Sequence, residues 1–141
     1  QPKDVEAELK RIDYELKPLD IVLINTKASE YYGKDGYLEH GIGMGKEATL
    51  YLTREHGIRV TGIDAWGWDA PFYYAKQQYA KDKNPLKVWQ GHWAGIEQPY
   101  CHMEKLLKLE QLPPHGFTVA CFPWKIKGAS GGYVRAVAMF D

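Results

Sequence analysis

The stretch HGIRVTGIDAWGWDAPF, residues 56–72, decides the fold class of this chain. Gly57 is suited to be the left-handed C-cap of a helix that helical spacing predicts over Met44–His56. The run Ile58–Ala65 is rich in apolar and β-branched residues, which predicts a buried strand. A helix that leads into a buried strand is the repeating unit of a layered α/β fold.

The same order occurs nearer the N-terminus. Apolar residues at helical spacing predict a helix over Asp4–Leu16 that Asp4 caps, and they are Val5, Leu9, Ile12 and Leu16. Asp20–Thr26 predicts a strand buried on both faces, and residues 27–43 read as a long loop. Two helix–strand units in succession predict an α/β fold with parallel strands, in which ligands gather beyond the carboxyl ends of the strands.

The remaining sequence adds shorter elements. Pro71 fits the first turn of a helix over residues 72–81. Residues 88–93 fit either helix or strand, whereas a strand is favoured for residues 98–103. Two further strands are predicted within residues 117–126 and 133–140, joined by a glycine-rich linker. We expect residues 1–141 to form a single domain.

Composition narrows the class of partner. The 18 basic residues balance the 18 acidic ones, so no strongly basic surface for nucleic acid is expected. This charge balance favours a small-molecule or protein partner, and the apolar runs are too short for a membrane span. Cys101 and Cys121 lack a paired motif and lie in apolar stretches, which predicts buried free thiols and a cytoplasmic location.

Candidate functional residues follow the second predicted strand and recur in the segment Gly91–Phe117. His92 and Glu104 have side chains that can bind a divalent metal, although a lone histidine is more often structural. Asp64 and Asp69 could bind metal or substrate, but carboxylates at such positions more often cap backbone N–H groups. The aromatic residues Trp66, Trp68 and Phe72 could be core or the wall of a pocket for a flat aromatic substrate.

From Asp20 onward, the order of five motifs resembles the C-terminal part of the cyclase family of metal-dependent hydrolases, the group of kynurenine formamidase and isatin hydrolase. The motifs are LKPLDIVLINT, HGIRVTGIDAWGWDAPF, GHWAG, YCHMEKLLKLEQLPPHGF and CFPWKIKGASGGYVRAVAMF. The resemblance implies a swivelling β/β/α fold with helices around a mixed sheet. It also implies hydrolysis of an amide, cyclic imide or lactone by water that zinc or manganese activates.

The resemblance further implies that His92 and Glu104 are metal ligands. The family's hallmark segment, His-x-Gly-Thr-His-x-Asp-x-Pro-x-His, does not occur in this sequence, and Asp69-Ala70-Pro71 imitates only part of it. We therefore expect the N-terminal part of the fold to be absent. The remaining ligands would come from the N-terminal half of the same protein or a partner chain, in a homo-oligomer, and this chain alone would be inactive.

The sequence leaves open the role of His102 and whether the chain is catalytic. His102 stands two residues before Glu104, so on a strand both side chains would share a face, and His102 could be a ligand, an orienting residue, a proton carrier or merely structural. The chain could also be a non-catalytic binding or structural subunit that keeps the cyclase-like fold.

Overall fold

The computed structural model describes residues 1–140 and confirms a mixed α/β fold. Three short strands, β1 (Ile21–Ile24), β2 (Val60–Ile63) and β3 (Cys101–Met103), form a parallel sheet in the order β1-β2-β3. Thr61 of β2 is in register with Val22 on one side and His102 on the other. The carboxyl ends of all three strands therefore lie at one edge of the sheet.

Residues 1–140 contain four α-helices: α1 (Pro2–Arg11), α2 (Lys46–Leu50), α3 (Phe72–Asp82) and α4 (Gln90–Glu97). A π-helical turn at Tyr51–Glu55 extends α2, and Gly57 follows it with a φ of 71°, as the sequence predicts for its C-cap. Short 3₁₀ turns lie at Ala28–Tyr31, Tyr37–Glu39, Pro85–Lys87 and Leu109–Gln111.

The core lies between the sheet and the extended α2 helix. Leu52, Ile58, Ile63 and Trp68 are each 0% exposed, and Met44 and Ala48 join them. Burying a side chain of this size contributes roughly 1.5–3 kcal/mol to the free energy of unfolding. Most of the buried apolar residues in the described part of the chain thus lie between Met44 and Trp68.

Several predicted features near the N-terminus are wrong in detail. Helix α1 begins at Pro2, so Asp4 lies in its first turn rather than at the cap. The helix ends at Arg11, and Asp13 follows with a left-handed φ of 52°. Strand β1 is half-buried rather than buried on both faces, because it lies at an edge of the three-stranded sheet.

A second sheet consists of β4 (Thr118–Pro123) and β5 (Val134–Met139), which pair antiparallel. We call residues 118–139 the arm. Both strands were predicted from the sequence, and each makes its extensive contacts with the other. The arm exposes large apolar side chains, with Phe122 85%, Tyr133 80% and Trp124 71% exposed. The two cysteines are free, but Cys101 is exposed and Cys121 is half-buried, so their predicted burial is wrong.

The long loop predicted over residues 27–43 is present, and hydrogen bonds to Asp64 hold it against the end of β2. This fully buried carboxylate accepts hydrogen bonds from the Thr26 backbone N–H at 2.8 Å and the Ser29 N–H at 3.3 Å. Tyr37 donates its hydroxyl to the Asp64 carbonyl at 3.0 Å. Asp64 therefore caps backbone groups, the reading that the sequence favoured. Within residues 1–140, no helix is long and apolar enough to cross a membrane.

Candidate metal centre

Three side chains that can bind a metal converge beside the carboxyl ends of β2 and β3. His92 lies in the first turn of α4, His102 lies within β3, and Glu104 follows directly after β3. One donor atom from each residue lies within 4.8 Å of the other two. The Nε2 atom of His102 is 3.3 Å from Oε1 of Glu104. The rings of His92 and His102 meet edge to face, with their centroids 4.8 Å apart.

Backbone hydrogen bonds between the ends of β2 and β3 position Glu104. The N–H groups of Lys105 and Leu106 donate to the carbonyls of Ala65 and Ile63 at 3.0 and 3.1 Å. The Trp68 N–H then donates to Oε1 of Glu104 at 3.1 Å. Lys105 adopts a left-handed φ of 60°, which turns the chain sharply at this point. The carboxylate is thus held over the edge of the sheet where α/β folds collect ligands.

Asp69 positions the start of α4. Its carboxylate accepts a hydrogen bond from the Gly91 N–H and also contacts Nδ1 of His92. A Cβ at residue 91 would lie 2.5 Å from the Trp68 ring, so only glycine lets this helix approach the core so closely. As for Asp64, the capping role expected of Asp69 is present, here together with a contact to a histidine.

The electrostatics of the site keep Glu104 ionised. Burial alone would raise the pKa of Glu104, but hydrogen bonds from His102 and the Trp68 N–H outweigh burial, with help from the charges of His102 and Lys105. The net result is a pKa below the ordinary value for glutamate. Burial also raises the pKa of Tyr100, whose hydroxyl donates to the Gly91 carbonyl at 2.9 Å. An ionised carboxylate is the form of glutamate that binds a metal.

The donor set fits a divalent metal. Zinc binds imidazole nitrogen and carboxylate oxygen at about 2.0–2.2 Å, so donors to one ion lie within about 4.4 Å of one another. The three donors lie within 4.8 Å of one another, so binding one ion would require small side-chain movements that bring them closer together. Two imidazoles and one carboxylate suit zinc or manganese and leave positions open for water.

A cavity of about 240 Å³ opens beside these donors, and His92 and Glu104 lie in its wall. The cavity is lined by the aromatic residues Trp66, Phe72 and Trp89. The Phe72 ring meets the other two edge to face, with ring-centroid distances of 5.8 Å to Trp66 and 5.1 Å to Trp89. These aromatic walls would suit a flat apolar group.

Trp68 does not share the pocket role expected for it. Its side chain is 0% exposed, packs in the core, and donates its indole N–H to Thr49 at 3.1 Å. The assignment of Trp68 to a substrate pocket was therefore wrong. In the alternation of this segment, Trp66 points to the cavity and Trp68 points to the core.

The first 70 residues match the family model described as putative cyclase. This chain belongs to the cyclase family. Isatin hydrolase A from Ralstonia solanacearum is a solved structure with the same fold, with 26% sequence identity and a TM-score of 0.76 over 97% of this chain and 51% of that chain.

Two further solved structures are similar to this cyclase-family chain. An isatin hydrolase bound to the product analogue thioisatinate has 21% identity and a TM-score of 0.75, with 97% of this chain and 51% of that chain covered. Isatin hydrolase A from Labrenzia aggregata bound to benzyl benzoate has 24% identity and a TM-score of 0.74, with 97% and 52% covered. The chain spans about half the length of these structures. No curated protein matches it at a significant level.

Sequence reasoning missed several residues of this cyclase-family site. Trp89 precedes α4 and looked like part of an ambiguous segment, whereas its ring lies 5.1 Å from Phe72 and 4.5 Å from His92. His40 lines the cavity from the long loop and stacks on Tyr31 at 3.5 Å. No spacing pattern marks either residue, because both reach the site only through tertiary packing.

Proposed function

We propose that this chain forms part of a metal-dependent hydrolase that cleaves an amide, a cyclic imide or a lactone with metal-activated water. The convergence of His92, His102 and Glu104 within 4.8 Å beside a cavity carries the proposal. The cyclase-family match and the likeness to isatin hydrolase A support it.

In this proposal His92, His102 and Glu104 hold the ion, which is zinc or manganese. Such an ion, when bound, lowers the pKa of a coordinated water and polarises a carbonyl oxygen. Trp66, Phe72 and Trp89 would hold the flat part of a small-molecule substrate against the cavity wall. Lys105, whose Nζ is 3.6 Å from Oε2 of Glu104 and 5.0 Å from the Trp66 ring, adds a positive charge at the rim.

We also propose that the active assembly contains more than this chain. The rest of the site would come from the N-terminal half of the same protein or from a partner chain, in a homo-oligomer. Two observations support this: the chain spans about half the length of its solved relatives, and the arm exposes Phe122, Trp124 and Tyr133. The two free cysteines fit a reducing cytoplasm.

Activity of the full protein tests the proposal. The protein carrying this chain with its family N-terminal segment or partner chain is assayed on a formyl anilide, a cyclic imide and an aromatic lactone. Elemental analysis gives its metal content, and a chelator is then added. We expect hydrolysis of at least one substrate, loss of activity with chelator, and recovery when zinc or manganese is restored.

A matched pair of variants locates the activity. Glu104→Gln should lower kcat/KM by at least about 100-fold, whereas Glu110→Gln, an exposed glutamate on a 3₁₀ turn, should leave it unchanged. If the metal-loaded protein hydrolyses none of the three substrate classes, the hydrolase proposal fails. Tight binding of such a compound without turnover would instead favour a non-catalytic binding subunit.

A further inference from the structure

Asp69 makes two contacts that together constrain a proposed metal ligand. One carboxylate oxygen accepts from the Gly91 N–H, and the other contacts Nδ1 of His92. The Asp69 side chain is 15% exposed, whereas that of His92 is 36% exposed. The anchoring carboxylate is thus the more buried partner, and the histidine ring extends from it toward the cavity.

The backbone that carries Asp69 has little freedom to move. Gly43 packs directly against it, since a Cβ at residue 43 would lie 2.0 Å from the Asp69 carbonyl carbon. The Met44 N–H donates to the Trp68 carbonyl at 2.8 Å, one residue before Asp69. The carboxylate is therefore held by the core on one side and by the start of α4 on the other.

A neutral imidazole carries its proton on one nitrogen, and the hydrogen bond at one ring nitrogen decides which. An ionised carboxylate accepts hydrogen bonds but cannot donate one, so its contact with Nδ1 requires the proton to be there. Nε2 is then left with its lone pair free, which is the form that binds a metal.

We propose that Asp69 is a positioning residue that keeps the proton of His92 on Nδ1 and so presents Nε2 of that ring as a metal ligand. The inference rests on the proposed metal centre for its purpose, but the position of the proton is a property of the metal-free chain. Asp69 also lines the cavity, but its two carboxylate oxygens are occupied by the Gly91 N–H and the His92 ring, so its role here is to position His92.

Imidazole nitrogen NMR of the metal-free chain tests it, at a pH at which histidine is neutral. Wild-type His92 should show the Nδ1–H form. In Asp69→Asn the side-chain oxygen can still accept from Gly91, while the amide N–H now faces Nδ1 as a donor. His92 should therefore change to the Nε2–H form, and zinc affinity in a separate titration should fall about 10–100-fold.

Asp20→Asn is the matched control. Asp20 also accepts a backbone N–H, from Lys17 at 2.8 Å, and a side-chain donor, the Tyr14 hydroxyl at 3.0 Å. This variant should leave both the His92 spectrum and the zinc affinity unchanged. A wild-type His92 in the Nε2–H form would overturn the inference, even if Asp69→Asn does not fold.

The two proposals fail in different ways. If His92 is in the Nδ1–H form but the chain binds no metal, the metal centre fails and the positioning by Asp69 stands. If the chain binds metal while His92 is in the Nε2–H form, only the role of Asp69 fails.

Discussion

The parallel sheet with its helices and the antiparallel arm show that pairing and burial are separate properties. The strands of the sheet have only four, four and three residues, yet Ile63 of β2 and Trp68, which follows β2, are 0% exposed. Each arm strand has six residues in an unbroken register. Among residues 118–139, all of which the structure describes, no side chain is buried.

The difference follows from what covers each sheet. Parallel strands need long connections, and here those connections form helices that pack on the sheet. An antiparallel pair needs no helical crossover, so the two arm strands pair with each other without a helix of this chain packing on them. The candidate metal centre lies beside the parallel sheet, where packing from several segments fixes its side chains.

The largest loss of stability should come from Gly43→Ala. A Cβ there would lie 1.9 Å from the Ala70 nitrogen and 2.0 Å from the Asp69 carbonyl carbon, and backbone cannot move aside as a flexible side chain can. We expect the free energy of unfolding to fall by more than about 4 kcal/mol, measured by urea denaturation.

Gly131→Ala is the control in the arm, because a Cβ at residue 131 has no neighbour within 4 Å. Its unfolding midpoint should match that of wild type. Equal urea midpoints for Gly43→Ala and Gly131→Ala would show that the backbone around Gly43 is packed no more tightly than the arm.

The next largest effect on the free energy of unfolding should come from truncating a side chain in the core, compared with truncating one in the arm. Leu52 is 0% exposed, so Leu52→Ala should cost about 2–5 kcal/mol in the free energy of unfolding. Val137 in the arm is 45% exposed, so Val137→Ala should cost about 0.5 kcal/mol or less. A cost at Val137 as large as that at Leu52 would contradict the difference in packing between the core and the arm.

Much of this contrast could be predicted from the sequence, because apolar periodicity and glycine positions act locally. The run Ile58–Ala65 correctly predicted β2, and Gly57 correctly predicted the end of the preceding helix. The sequence YVRAVAMF correctly predicted β5. Helix α4 was ambiguous because it is short and Asp69, a residue distant in sequence, helps to hold its first turn.

The candidate site was only partly predictable for the same reason. The family resemblance pointed to His92 and Glu104, and the two-residue spacing of His102 and Glu104 suggested a shared face. Trp66 and Trp68 could not be separated by composition, since only the packing of Trp68 on Thr49 decides which ring is buried. Trp89 and His40 reach the cavity through tertiary packing that no local pattern records.

The smallest effect on stability should come from the exposed face of the arm. Phe122→Ser and Trp124→Ser remove side chains that are 85% and 71% exposed, so each should change the free energy of unfolding by about 0.5 kcal/mol or less. Their effect should appear in the mass measured by light scattering, since large exposed apolar patches mark interaction surfaces. We expect wild type to associate and the double variant to associate less. A monomeric wild type would contradict the proposed association.

We propose that His92, His102 and Glu104 of this chain together bind one divalent metal. Calorimetric titration of zinc into the purified chain tests it most directly, with Glu104→Gln and His102→Ala beside the controls Glu110→Gln and His115→Ala. We predict that wild type and both controls bind one ion, and that each ligand variant loses at least about tenfold in affinity. Equal zinc binding by His102→Ala, Glu104→Gln and their controls would rule out a metal centre at these residues.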